Sequence, residues 1–249
     1  MKKRMLSLLI LLCMVVGLIP SALAQGQGTA GDPILISSYE ELVAFRDTVN
    51  NGNKYSGKHI KLVADIDLGG SDTPWIPIAN LSNKPFEGNF DGRGHWITGL
   101  YISSGDGKAK GLFGYNDGTV RNLCVEGSVN GSGSTGAIAG INGGLVENCL
   151  GKADVSSSIT AGGIVGYNET YGTVSSCVNT GNVSGSVDAG GIVGCNYGML
   201  VNSGNTGDVS GSQYTGGVVG YECGEKVGST ANCYSRGIVT GGAIMPGSR

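Results

Sequence analysis

The sequence predicts an all-β fold, a right-handed parallel β-helix (solenoid) with coils of about 26 residues and a short N-terminal α-helical cap. A glycine-rich heptapeptide recurs at a nearly constant step, beginning at Lys110, Gly136, Gly162, Gly190 and Gly216. The chain has 47 Gly among its 249 residues, and its Gly-rich stretches alternate with short segments rich in Val and Ile. Glycine costs about 1 kcal/mol in a helix and β-branched residues favour strands, so each repeat is expected to form one stacked coil.

Columns of similar residues support this stacking. A Val column comprises Val120, Val146, Val174, Leu200 and Thr230, and a second column comprises Asn122, Asn148, Ser176, Asn202 and Asn232. A Gly column comprises Gly118, Gly144, Gly172, Gly198 and Gly228. The Val side chains are expected to pack on their equivalents in coils about 4.8 Å away. The Gly columns are expected at tight corners that need positive φ.

A further Asn column has two interpretations. It comprises Asn116, Asn142, Asn168 and Asn196, followed by Glu222. Stacked amides can form a hydrogen-bonded ladder inside the solenoid. They could also form a polar stripe that binds a ligand. The ladder is favoured, because Asn suits corners for local reasons.

The chain divides into four segments. Residues 1–24 have a basic start, an apolar run too short for a membrane span and a small-residue cleavage site, which predicts a signal peptide cut after Ala24. Residues 25–36 are expected to be a flexible leader. Residues 37–109 are expected to form the capping helix and irregular coils, and residues 110–249 five repeats that are truncated at the C-terminus.

The capping helix is predicted from local signals. Ser38 and Glu41 have the spacing of a capping box, and Leu42, Phe45 and Val49 give an apolar stripe. A helix at this place would cover the open end of the first coil, as solenoids require.

Charge excludes some classes of partner. The net charge is −3, with 16 Lys and Arg against 19 Asp and Glu, and no basic cluster occurs. Nucleic acid therefore has no electrostatic footprint here, and docking on anionic membranes is disfavoured. No second apolar run of spanning length follows the signal segment, so no membrane span is expected in the mature chain.

Six cysteines lie beyond the signal segment. Cys149 and Cys177 share a column in adjacent coils, where a disulfide and stacked free thiols are both open. Free thiols are favoured because stacked Cβ atoms point the same way and stay slightly too far apart. Cys195 and Cys223 lie in adjacent coils but two columns apart.

The residues that could carry chemistry are few. Asp65 and Asp67, with Asp72 nearby, could bind calcium, although no Asp-x-Asp-x-Asp-Gly loop is present. Glu87 and Asp91 could pair as glycosidase carboxylates. These alternatives stay open at this stage, and the prediction is that the chain has no catalytic, cofactor-binding or metal-binding residue and is not an enzyme.

Other catalytic motifs are missing from the sequence. With only two histidines, His59 and His95, a His-Glu-x-x-His zinc site is impossible, and His95 is expected to be a structural residue at a turn. The sequence contains neither a Gly-x-Ser-x-Gly elbow nor a phosphate-binding loop.

The repeats resemble the GLUG-motif family of bacterial surface and secreted proteins. The resemblance is carried by residues 162–185, which read GGIVGYN followed by GTVSSCVNTGNVSG, and by the sister repeats over residues 110–240. Two upstream segments add to it, PFEGNFDGRGHWITGLYI in residues 85–102 and LVADIDLGG in residues 62–70. Such repeats occur in adhesin-like proteins and beside peptidase domains that cleave immunoglobulin A. The resemblance brings no catalytic residues with it.

Two functions are therefore considered. The first is a non-enzymatic, secreted or cell-surface β-solenoid module for adhesion, ligand binding or a stalk, which is part of a longer surface protein. Its expected partners are a host or matrix protein or a glycan. The alternative is a carbohydrate-active β-helix enzyme, similar to a polysaccharide lyase or a glycoside hydrolase, which rests on analogy of fold.

Overall fold

A computed structural model describes residues 26–103, 105–223 and 229–244 of the protein. Over these residues the chain winds through coils whose strands pair in parallel with those of the next coil, forming three sheets. The predicted parallel solenoid and its spacing of about 26 residues are confirmed, while its right-handedness stays a prediction. The signal-peptide prediction for residues 1–24 lies outside the described residues.

The strands are assigned to three sheets. Sheet A contains β1 (Ile34–Ile36), β2 (His59–Leu62), β4 (Asn89–Asp91), β7 (Thr119–Arg121), β11 (Leu145–Glu147), β15 (Thr173–Ser175), β20 (Met199–Val201) and β24 (Ser229–Ala231). Sheet C contains β6 (Phe113–Asn116), β10 (Ala139–Asn142), β14 (Val165–Asn168), β19 (Val193–Asn196) and β23 (Val219–Glu222).

Sheet B holds the remaining strands, which include the longer ones. It contains β3 (Ile66–Asp67), β5 (Trp96–Ser103), β8 (Cys124–Gly131), β9 (Ser134–Gly136), β12 (Leu150–Ser157), β13 (Thr160–Gly162), β16 (Val178–Asn179), β17 (Val183–Gly185), β18 (Asp188–Gly190), β21 (Gly204–Asn205), β22 (Val209–Gly216), β25 (Tyr234–Ser235) and β26 (Val239–Ile244). A short 3₁₀ helix, Gly70–Asp72, follows β3.

The Val column is confirmed by the strand register. Val146 pairs with Val120 on one side and with Val174 on the other, and the series continues through Leu200 to Thr230. The first four of these side chains are fully buried. One coil cannot bury its own apolar face, so this stacking is what forms the core of the repeats.

The alignment of the first repeat is corrected by one residue. Lys110 pairs with Thr135, not with Gly136, while Phe113 pairs with Ala139 as expected. Between these two pairs, the first repeat therefore has one residue fewer than the second. The correction places Lys110 in a column of small buried side chains, Thr135, Ala161, Ala189 and Thr215.

The role assigned to the Gly columns is also corrected. The described members of the Gly118 column have no positive φ, whereas Asn122, Asn148, Ser176, Asn202 and Asn232 have φ of 50–54°. Asn tolerates the left-handed conformation better than most residues, so the corner falls on Asn. The glycines of this column instead permit close approach between coils: a Cβ on Gly144 would clash with the carbonyl oxygen of Gly118. Gly228 lies outside the described residues.

The predicted capping helix is present as α1 (Tyr39–Asn50). The Ser38 side chain accepts a hydrogen bond from the Glu41 N–H, while the Glu41 carboxylate accepts one from the Ser37 N–H at 2.7 Å. The buried residues of α1 are Leu42, Phe45 and Val49. The helix therefore lays an apolar face on the first coils, as a cap must.

The expected flexible leader, residues 25–36, is corrected at its C-terminal end. Ile34–Ile36 form β1, which pairs with β2, and Ile36 is fully buried. Ile34, Leu35 and Ile36 are three consecutive apolar residues, too few to predict a strand, and pairing with β2 stabilises it. The solenoid therefore begins before the helix.

Candidate functional site

The Asn116 column is a buried ladder. The Nδ2 group of Asn116 donates to Asn142 Oδ1, Asn142 to Asn168 and Asn168 to Asn196, each at 2.8 Å. Asn196 then donates to Glu222 Oε1 at 3.0 Å. All four Asn side chains are fully buried and are therefore not available to a ligand. Their amide groups bond to one another and to nearby carbonyls, except that Asn116 Oδ1, at the start of the ladder, has no hydrogen-bond partner within the described chain.

A second buried ladder was not predicted. Asn179 donates to Asn205 Oδ1 at 2.9 Å, and each amide also donates to a glycine carbonyl two residues on, Gly181 or Gly207, at 2.7 Å. Gly151 occupies the equivalent position in the preceding coil. The signal that could have found it is a pair of Asn-Thr-Gly sequences that are one repeat apart.

The outer face of the solenoid offers a different arrangement along sheet B. Two neighbouring columns line a surface depression of about 540 Å³ across six coils, which we call the polar groove. One column comprises Tyr101, Ser128, Asp154, Asn182, Asp208 and Ile238. The other comprises Ser103, Asn130, Ser156, Ser184, Ser210 and Thr240.

Backbone groups hold three side chains of the polar groove in place. Asp154 Oδ1 accepts a hydrogen bond from the Asn182 N–H at 2.9 Å, and Asn182 Oδ1 accepts one from the Asp208 N–H at 3.2 Å. Asp208 Oδ1 accepts one from the Ile238 N–H at 2.8 Å. Each coil thus fixes the orientation of a polar side chain in the coil before it, which lowers the entropy that a ligand would have to remove.

The polar groove retains free hydrogen-bonding capacity. Within the part of the chain that the structure describes, the side chains of Ser128, Asn130, Ser156 and Ser184 make no hydrogen bond. The lining includes two carboxylates, Asp154 and Asp208, and no Lys or Arg among the described residues. A groove of this composition suits a neutral or cationic partner that offers hydroxyl or amide groups.

The calcium candidates do not converge. Asp65 Oδ1 accepts a hydrogen bond from the Trp96 N–H at 3.0 Å and lies 3.0 Å from His95 Nδ1. Both contacts lower the pKa of Asp65, and the Trp96 hydrogen bond contributes most. Asp67 Oδ1 instead accepts the Gly69 N–H at 2.9 Å. Among the described residues, no three Asp, Glu, His or Cys side chains are grouped so as to hold a metal ion. His95 lies at a turn, with its N–H bonded to the Gly92 carbonyl.

The glycosidase candidates lie in separate depressions and have different partners. Glu87 accepts hydrogen bonds from Lys54 Nζ at 2.7 Å and from Ser56, and both lower its pKa. For Asp91, burial acts to raise the pKa, but hydrogen bonds from Asn122 and from the Arg93 N–H, together with the Arg121 guanidinium, outweigh it and lower the pKa. A glycosidase acid needs a raised pKa and a partner across one cleft, and this pair has neither.

The six described cysteines are free thiols. In the column of Cys149 and Cys177, each Sγ lies 3.2 Å from the carbonyl oxygen two residues earlier, that of Glu147 or Ser175. Burial, with Cys177 beside it, raises the pKa of Cys149 well above its ordinary value. Burial likewise raises the pKa of Cys195 to about 12. Such thiols act as packing groups, because the reactive species is the thiolate.

No helix among the described residues is long and apolar enough to cross a membrane.

Comparison with known proteins matches one repeat to a described motif. Residues 157–184 match the family described as "The GLUG motif". The chain is 42% identical over 115 residues to "Putative Gly-rich membrane protein" of Evansella cellulosilytica, an alignment that covers 43% of this chain and 12% of the relative. It is 31% identical over 115 residues to "Halomucin" of Haloquadratum walsbyi, with 43% of this chain and 1% of that protein covered. The chain therefore spans only a small part of these relatives.

A solved structure shows the same fold. It is the crystal structure of "a putative immunoglobulin A1 protease from Bacteroides ovatus", which superimposes with a TM-score of 0.70 over 90% of this chain and 86% of that chain, at 23% identity. At this identity the likeness concerns the fold alone. The resemblance predicted from the repeats is confirmed, since residues 157–184 match the GLUG motif and the chain has the same solenoid fold as the Bacteroides ovatus protein.

Proposed function

We propose that the protein is a non-enzymatic β-solenoid module of a secreted or cell-surface protein, and that it binds a ligand along the polar groove. The observation that carries the proposal is the groove itself, six coils long, lined by polar side chains of which three are held by backbone N–H groups, and without basic residues among its described lining. Its length favours an extended ligand, such as a glycan chain or an extended segment of a matrix protein.

The relatives support a surface location. One is named as a Gly-rich membrane protein and the other as Halomucin, and both are much longer than the aligned segment. A repeat module within a longer surface protein, with an adhesive or stalk role, accounts for both observations. Export through a signal peptide cleaved after Ala24 is part of the same proposal.

The test is a binding screen of the purified chain against neutral and charged glycans and extracellular matrix proteins. A ligand in the groove should bind at least about tenfold more weakly to Ser184→Tyr, because the new ring fills the exposed middle of the groove. Ser175→Tyr is the matched control. Ser175 lies on β15 of sheet A, outside the groove, and its substitution should leave the affinity unchanged.

Two results would contradict the proposal. Equal loss of affinity in Ser184→Tyr and Ser175→Tyr would place the ligand elsewhere, and a chain that binds nothing in the screen would have a stalk role without a ligand. Every glycan that binds should also be recovered unchanged after long incubation. Cleavage products would instead support the carbohydrate-active alternative.

A further inference from the structure

A second pocket, which shares only Ser103 with the polar groove, lies where the N-terminal coils meet the first repeat. It has a volume of about 250 Å³, and its apolar wall includes Trp75, Pro77 and Ile102. The Trp75 indole is held by a hydrogen bond from Nε1 to the Leu112 carbonyl at 3.2 Å, and the Arg46 guanidinium lies 4.9 Å from the ring centre. The wall is therefore a fixed apolar surface.

Lys110 is a polar group in this apolar pocket. Its side chain is only 7% exposed, and the column that it begins continues with small buried residues from Thr135 to Thr215. Burying an ammonium group is costly unless partners replace its water. Lys110 has one such partner among the described residues, Asp106, whose Oδ1 lies 2.7 Å from Nζ. An ammonium group has three donors, so two remain for a ligand.

The charges around this contact do not cancel. Lys108 Nζ lies 3.8 Å from the other oxygen of Asp106, so two ammonium groups share one carboxylate in the pocket lining. The Asn80 side chain also lines the pocket and makes no hydrogen bond within the described chain. An apolar wall with a few converging polar groups is typical of small-molecule sites.

We propose that this pocket binds a small carboxylate-bearing ligand. The Lys110 ammonium takes the carboxylate, Asn80 offers a further hydrogen bond, and Trp75 packs against the body of the ligand. Asp106 accepts one of the three N–H donors of the Lys110 ammonium group and therefore competes with the ligand for it. The acid could be free or could be an acidic sugar, since both present the same carboxylate.

The test uses Trp75 as the reporter. The chain has two tryptophans, so Trp96→Phe leaves Trp75 as the only one. Its fluorescence is titrated with acetate, with glucuronate and with glucose, which is the neutral counterpart of glucuronate. Glucuronate should give a saturable change and glucose should bind at least about tenfold more weakly, because only the acid forms a charge-assisted bond. Acetate with the same affinity as glucuronate would indicate a free small acid as ligand, and weaker acetate an acidic sugar.

Substitutions at the two charges should act in opposite directions. Lys110→Met should weaken glucuronate about tenfold or more, whereas Asp106→Asn should strengthen it by removing the competitor. Lys108→Met, at a side chain that is 51% exposed, should change it less than about threefold. Asp106 is exposed, so its substitution tests the proposal even where Lys110→Met unfolds the chain.

The proposal is wrong where glucose and glucuronate bind alike, where neither acid gives a saturable change, or where Asp106→Asn weakens binding. Equal losses in Lys108→Met and Lys110→Met would also overturn it, because they would indicate attraction by surface charge alone.

Discussion

The two halves of the solenoid use the same coil but build its core differently. The N-terminal coils and α1 bury large rings, with Phe45 between Tyr55, Phe86 and Phe90 at centroid distances of 5.0–5.9 Å. The repeats bury mainly Val, Ile, Ala and Gly, together with the Asn ladders. Large side chains fill the core of the N-terminal coils. The core of the repeats is instead held by close packing of the backbones and by hydrogen bonds between coils.

This difference follows from what each half must do. A cap is built once, and its rings fit one another without having to repeat. A coil that is stacked many times needs the same contact above and below, and an amide that both donates and accepts provides it. The Asn116 ladder thus continues from coil to coil, while the ring cluster ends at Phe113.

The largest expected effect is at the ring cluster. Phe45→Ala should lower the free energy of unfolding by about 3–5 kcal/mol, because it leaves a cavity among three rings in a fully buried site. Urea denaturation followed by tryptophan fluorescence measures it. Glu40→Ala, on the exposed side of α1, is the matched control and should change stability by less than about 0.5 kcal/mol. Similar losses in the two variants would refute the packing role of α1.

A smaller loss is expected at the ladder. Asn168→Ala should cost about 2–4 kcal/mol, since it removes the amide between Asn142 and Asn196 and leaves buried polar groups without their partner. Asn148→Ser should cost less than about 1 kcal/mol, because Asn148 is at an exposed corner where another coil already has Ser176. Denaturation curves of both variants decide the point, and a larger loss for Asn148→Ser would contradict the ladder model.

Much of the fold could be predicted because repetition makes burial visible in the sequence. Val146 follows Val120 by one full repeat because one side chain packs on the other. The slip at Lys110 could not be predicted, because matching letters do not reveal a missing residue between two paired points. The conformation of Asn122 was missed as well, since Gly is the usual residue at positive φ and drew the assignment to the neighbouring column.

The candidate sites were harder to predict from sequence. Asp154, Asn182 and Asp208 recur at the repeat spacing, but small polar residues are equally typical of turns. Their role depends on which face they point to and on the backbone N–H of the next coil. The pocket at Lys110 depends on Trp75 and Asn80 from a different coil, which no local pattern connects.

The smallest expected effect is a pH dependence of stability that arises from a thiol of the repeats, a group that the N-terminal coils lack. The six described cysteines all lie in the repeats, and burial raises the pKa of Cys195 to about 12 from an ordinary 9.0. The unfolded thiol therefore loses its proton first, so the folded chain binds more protons and stability falls as pH rises from 9 towards 12. Between pH 8 and 10, this thiol should cost about 1 kcal/mol. Urea denaturation at each pH should show a smaller fall in Cys195→Ala. An unchanged fall would mean that Cys195 titrates normally in the fold, and that burial in the repeats is looser than the ladders imply.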